Sequence, residues 1–124
     1  MKIVISATGR DRDSNIDSTF GRARFFMIID TTTKEVKVIE NKIRDRSNSV
    51  GITAVNTVEK EEINAVITAD IGPLAFETFE QSGVKMYQAE GKINDAIRLF
   101  EEGKLSEITK ATRSKYAGLK KKRK

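Results

Sequence analysis

The chain contains no cysteine and no histidine. Thiolate and imidazole are the donors that zinc, iron–sulfur clusters and most transition-metal sites depend on. Zinc fingers, cysteine-held clusters and histidine-ligated metal centres are therefore excluded. So are Ser-His-Asp and Cys-His nucleophile systems, a histidine general base, disulfides and thiol redox chemistry. Oxygen ligands, backbone groups, Lys, Arg, Tyr and three Met remain for any chemistry. No run approaches the roughly 18 consecutive apolar residues of a membrane span, and the opening MKIVISATG turns polar too soon for a signal peptide. A cytoplasmic protein with no membrane attachment is expected.

What is present is enough for one core: 124 residues, 38% of them hydrophobic, fit a single domain. Charged residues reach 33% against two glutamines, a balance that leans toward a thermophilic source. The net charge of +5 is uneven. Residues 111–124 carry seven basic side chains (Arg113, Lys115, Lys120, Lys121, Lys122, Arg123, Lys124) and no acid, leaving the rest of the chain at −2. Such a terminal run reads first as a solvated tail, flexible at its end, and second as a binder of nucleic acid or another polyanion.

The hydrophobic pattern places strands at Lys2 to Ala7, Arg24 to Asp30 and Glu35 to Asn41, the last two joined by the polar turn at Thr31 to Lys34. The period then changes. Asn48 or Ser49 can cap a helix carrying Ile52, Val55 and Val58, which ends at Glu59 to Glu62. Ile63 to Thr68 is a buried strand, Pro73 opens a second helix that stops at Gly83, Val84 to Tyr87 is a short strand, and Asn94 to Glu102 is a third helix ending at Gly103. Strand–helix alternation after a hairpin predicts a three-layer α/β/α domain of the ribonuclease H-like type. Its five-stranded mixed sheet would have the order 3-2-1-4-5 with strand 2 antiparallel. The domain would span residues 1–105, with 106–124 as a basic C-terminal extension.

Ligands of open parallel sheets bind beyond the C-terminal strand ends. Three segments reach that rim: Ala7 to Arg10, Ser47 to Gly51 and Ala69 to Pro73. Glycines at two helix starts, with Arg10, Arg22 and Arg24 nearby, predict an anion-receiving rim of backbone N–H groups and arginine. It is neither a P-loop nor a dinucleotide fingerprint, since both spacings are absent. A two-metal nuclease needs convergent acids, yet KIVISA has none. Asp11, Asp13 and Asp17 lack the glycine and terminal glutamate of a calcium loop.

Ser18 to Ala23 (STFGRA), Gly51 to Ala54 (GITA), Ala69 to Phe76 (ADIGPLAF) and the closing run from Gly83 to Leu105 together resemble the dinitrogenase iron–molybdenum cofactor biosynthesis family, the NifX/NifB-type domain. The resemblance spans roughly residues 1 to 105 and implies the ribonuclease H-like fold. It also implies a non-enzymatic carrier of an iron–molybdenum or iron–sulfur metallocluster. The positions carried over as cofactor-binding are Phe20, Gly21, Arg22, Ala23, Gly51, Ile71, Gly72 and Pro73, with Phe76 matching the same motif. The family often has His where this chain has Thr19, and Gly where it has Asp70. Reception of an anionic cluster by backbone N–H groups and Arg22, without metal ligation by a side chain, is the resulting expectation. The alternative is a regulatory or adaptor module that binds a small anion, a protein or, through the tail, nucleic acid.

Overall fold

In a computed structural model, residues 1–44 and 50–112 are described. The elements are β1 (Lys2–Ala7), β2 (Phe25–Asp30), β3 (Val36–Glu40), α1 (Val50–Glu59), β4 (Ala65–Thr68), α2 (Pro73–Gln81), β5 (Lys85–Gln88), α3 (Ile93–Glu101) and β6 (Ser106–Glu107). Asn48 and Ser49, the expected caps of α1, lie outside the described residues, as do the basic positions from Arg113 onward.

The elements form one open mixed sheet of order β3-β2-β1-β4-β5-β6. β2 runs antiparallel to β1, with Ala7 opposite Phe25, and β3 runs antiparallel to β2. β4 and β5 are parallel to β1 and β4 respectively. The expected order of the first five strands holds, but the sheet has six strands, not five. Gly103, at φ +72°, turns the chain at the end of α3, and Ser106–Glu107 then pairs antiparallel with β5. This strand escapes pattern reading because it is two residues long and both are polar. Ile108, which follows it, is buried against the α1–α2 face, so the packed structure runs past residue 105.

β1 and β2 are buried on both faces, as their unbroken apolar runs require. One face packs Val4, Phe26, Ile28 and Val66 against α1 and α2 through Val55, Val58, Ala75 and Phe79. The opposite face packs Ile3, Ile5, Met27, Ile29 and Ile67 against Ile93, Ala96 and Ile97 of α3. No helix among the described residues is long and apolar enough to cross a membrane.

Candidate functional site

β1 and β4 end side by side, and the loops after them meet. The first loop folds back on β1, where the Asp17 N–H donates to Ser6 O (2.9 Å). It then reaches the second loop, where the Phe20 N–H donates to Asp70 O (3.0 Å). The Asp17 carboxylate closes the intervening turn by accepting from the N–H groups of Ser18 and Arg24, both at 2.9 Å. Asn41, 5% exposed at the end of β3, donates its amide to Gly21 O (3.0 Å) and Ala23 O (2.9 Å).

These contacts fix which side chains of the Phe-Gly-Arg-Ala motif point inward. Phe20 is fully buried, its ring centroid 5.0 Å from that of Phe26 and 5.2 Å, edge-on, from that of Phe79. Ala23 is also fully buried. Gly21 lies against the first turn of α1: a Cβ there would stand 3.0 Å from Gly51 Cα. A Cβ on Gly51 would in turn stand 3.5 Å from that of Ala75 in α2. The two glycines thus join the first loop to the starts of both helices. Arg22 is the exposed side chain of the motif, its Nη1 donating to Arg44 O (2.7 Å) while Arg44 Nε donates to Arg22 O (3.2 Å). A guanidinium has five N–H donors, so this contact leaves Arg22 able to meet an anion.

The second helix start is open. Gly72 occupies the N-cap position in extended conformation and, among the described residues, no side chain caps the helix. Pro73 has no N–H, and the first-turn N–H groups of Leu74 and Ala75 face the end of the helix. Among the described residues no atom lies within 4 Å of where a Cβ on Gly72 would be. Ile71 is fully buried and its peptide is already engaged: its N–H donates to Thr112 Oγ1 (2.8 Å) and its carbonyl accepts from the Thr112 N–H (3.0 Å).

The structure therefore divides the residues expected to touch a ligand. Arg22, Gly51, Gly72 and Pro73 are at least partly exposed at the rim. Phe20, Gly21, Ala23 and Ile71 are buried beneath it and shape it from below. Arg10 stands away from the helix starts, 4.7 Å over the Phe25 ring and 3.6 Å from the Glu40 carboxylate. The acids of the first loop serve the loop: Asp11 accepts from the Asp13 N–H, and Asp13 from the Asn94 amide. Among the described residues no group of three or more acids is placed to hold a metal ion. Asp17, Asn41 and Thr112 hold the rim although sequence reasoning singled out none of them for that work. Asn41 was detectable as the polar residue closing an alternating strand; Thr112 carries no such signal.

Fold and site together define a small open-sheet domain whose rim is built of backbone donors and arginine. The chain belongs to the dinitrogenase iron-molybdenum cofactor family, whose model matches residues 1–103. An uncharacterized protein of Methanocaldococcus jannaschii is 34% identical, with 87% of this chain and 96% of that protein covered. The apo form of the orange protein from Desulfovibrio gigas superposes with TM-score 0.86 at 27% identity, over 90% of this chain and 96% of that one. A Thermotoga protein described as a candidate NifB protein gives 0.80 at 35% identity, over 90% and 97%. The family match ends before β6 and Thr112.

Proposed function

We propose that the protein is a cytoplasmic, non-enzymatic carrier that receives an anionic metallocluster, or the anionic precursor of one, at this rim. The observation that carries the reading is the convergence of the family's two motif loops. Gly21 packs on Gly51, Gly51 on Ala75, and the uncapped start of α2 opens beside them under the empty space at Gly72. Family membership supplies the class of cargo. The reading adopts the ribonuclease H-like topology expected from the element order.

The residues fit such a cargo in one respect and not in another. A helix start, whose first-turn N–H groups have no partner within the helix, and an exposed arginine suit a negatively charged surface. The chain has no His or Cys, and Met27 and Met86 are buried in the core, so no thiolate, imidazole or accessible thioether stands at the rim to replace a ligand on iron or molybdenum. The cargo must therefore bring its own inner ligands and be held from outside by hydrogen bonds. In the sequence the basic run begins one residue after Thr112, which is bonded to Ile71. Seven basic side chains with no acid among them, following directly on a residue bonded to Ile71, favour the tail as an attractor of the anionic cargo over a separate nucleic-acid function.

Anaerobic reconstitution with iron, sulfide and molybdate, followed by gel filtration and metal analysis, tests the reading. Wild-type protein should retain metal, and Gly72→Val, which fills the empty space above the α2 start, should retain several-fold less with an unchanged melting temperature. Removal of residues 113–124 should slow loading and flatten its salt dependence. Failure of the wild type to retain metal would overturn the proposal.

A further inference from the structure

Only three polar residues are fully or nearly fully buried among the described residues: Ser6, Asn41 and Thr68. All three are at the rim end of the sheet. Asn41 serves the first loop, as described above. Ser6 and Thr68 are neighbours on parallel strands, at the ends of β1 and β4 before the two loops, and both are 0% exposed. Their hydroxyl oxygens are 2.8 Å apart. Ser6 Oγ also lies 3.2 Å from the carbonyl of Asp17 in the first loop. Thr68 Oγ1 lies 3.3 Å from the carbonyl of Asp70 in the second.

The arrangement contains three contacts and two protons. Each hydroxyl has one proton to donate, and carbonyls have none. Two hydroxyl oxygens at 2.8 Å need a proton between them, because two facing lone pairs at that distance repel. One proton is thus committed to the Ser6–Thr68 contact, and only one is left for the two loops. If Thr68 donates to Ser6, Ser6 donates to Asp17 and the Asp70 carbonyl receives nothing from the pair. If Ser6 donates to Thr68, Thr68 donates to Asp70 and the Asp17 carbonyl is left.

We infer that Ser6 and Thr68 form a one-proton relay that holds the two rim loops alternately, so that tightening one loop loosens the other. The two residues are positioning residues of the rim. The relay deepens the reading of the rim as an anion-receiving site and rests on that reading for its purpose, though not for its existence. The Asp70 carbonyl also accepts the Phe20 N–H at 3.0 Å, so the resting arrangement gives the spare proton to Asp17. A cargo that draws the Phe20 N–H away from Asp70 would shift the proton toward the second loop and release the first. A buried pair of hydroxyls is otherwise a poor use of the core, since apolar side chains of the same shape would fill the space without competing for protons.

The test is the backbone carbonyl carbon shifts of Asp17 and Asp70 in uniformly labelled protein, which move downfield as a carbonyl accepts a stronger hydrogen bond. In Ser6→Ala, Thr68 is free to donate to Asp70, so the Asp70 carbonyl moves downfield and the Asp17 carbonyl upfield. In Thr68→Val, Ser6 can donate only to Asp17, as it already does in the resting arrangement, so both carbonyls stay near their wild-type positions. Thr68→Ser keeps both protons and leaves both shifts near their wild-type values. A merely structural hydroxyl pair would weaken both loops in either variant and move the two carbonyls in the same direction. That result in either Ser6→Ala or Thr68→Val overturns the relay, so one folded variant suffices. The measurement is made without cargo: opposite signs with no metal retained in reconstitution would fault only the carrier reading. Metal retention with same-direction shifts would fault only the relay.

Discussion

At the two ends of the sheet, polar groups are handled in opposite ways. Where β1 and β4 finish, the side chains of Ser6, Asn41 and Thr68 are buried within hydrogen-bond distance of loop carbonyls, while the start of α2 has no side-chain cap among the described residues. Where β1 begins, polar side chains are exposed or half-buried and close the structure among themselves. The Lys2 N–H donates to Asn64 Oδ1 (2.8 Å), Lys37 meets Glu61 at 2.8 Å, and the Asp30 carboxylate accepts the N–H groups of Thr32 and Thr33. One end is finished without a ligand; the other uses its buried polar groups to fix loops and leaves donors facing outward. Exposed pairs such as Lys37–Glu61 contribute at most about 1 kcal/mol, whereas a buried carbonyl stripped of its donor costs about 1–3 kcal/mol. Substitutions at the rim should therefore cost far more than substitutions at the opposite end.

The largest effect is expected at Phe20. Its ring packs between Phe26 and Phe79 with no exposure, so Phe20→Ala should lower stability by about 3–5 kcal/mol in denaturant unfolding. Val36→Ala, in the 41%-exposed position of β3, should cost less than about 1 kcal/mol. Equal losses at the two sites would remove the contrast between the ends. Gly21→Ala comes next: its Cβ would press on the backbone of α1, at 3.0 Å from Gly51 Cα, which cannot yield as a flexible side chain would. A loss of about 1–3 kcal/mol is expected. Gly72→Ala, with nothing in the way, should stay within about 1 kcal/mol of wild type. A thermal melt of each variant separates a glycine required by the fold from one that leaves room above the helix.

Asn41→Ala tests the polar half of the same argument. It leaves the carbonyls of Gly21 and Ala23 without their amide donor and should cost about 1–3 kcal/mol. Amide exchange should rise in residues 20–24 before it rises in β1. If exchange instead rises evenly through the sheet, Asn41 supports the core and not the loop.

Much of this architecture can be read from residue pattern. The unbroken runs of β1 and β2, the change of period before α1 and the proline that opens α2 each state their element locally, and five strands fall in the order expected from them. The segments that make the rim are legible for the same reason, because Gly51, Gly72 and Pro73 punctuate helix starts. What is not legible is which members of those segments face outward. Phe20, Ala23 and Ile71 belong to motifs that reach the rim, yet their apolar side chains are worth more buried than exposed, and the core takes them. Thr112 is invisible for a different reason. Its contact with Ile71 joins residues 41 positions apart, through a polar side chain in a segment with no periodicity. β6 is likewise set by the free edge of β5 and not by any preference of Ser106 or Glu107.

The smallest expected effect lies at the finished end. Hydrogen bonds from the Thr32 and Thr33 N–H groups hold the Asp30 carboxyl below its ordinary value of 3.8, outweighing the opposing effect of burial. A carboxyl with a lowered folded-state pKa binds its proton more weakly in the folded chain than in the unfolded one. Its contribution is then fully present above the unfolded value and disappears as the pH falls through the folded one. The turn between β2 and β3 should accordingly keep its order at neutral pH and loosen only below about pH 3.8. The amide shifts of Thr32 and Thr33 followed from pH 6 downward report it. Asp30→Asn should abolish the pH dependence at those two amides, and the rim resonances of Gly21 and Gly72 should not follow the titration. If they did, the two ends of the sheet would be coupled, and the division between a self-satisfied end and a ligand-receiving one would have to be redrawn.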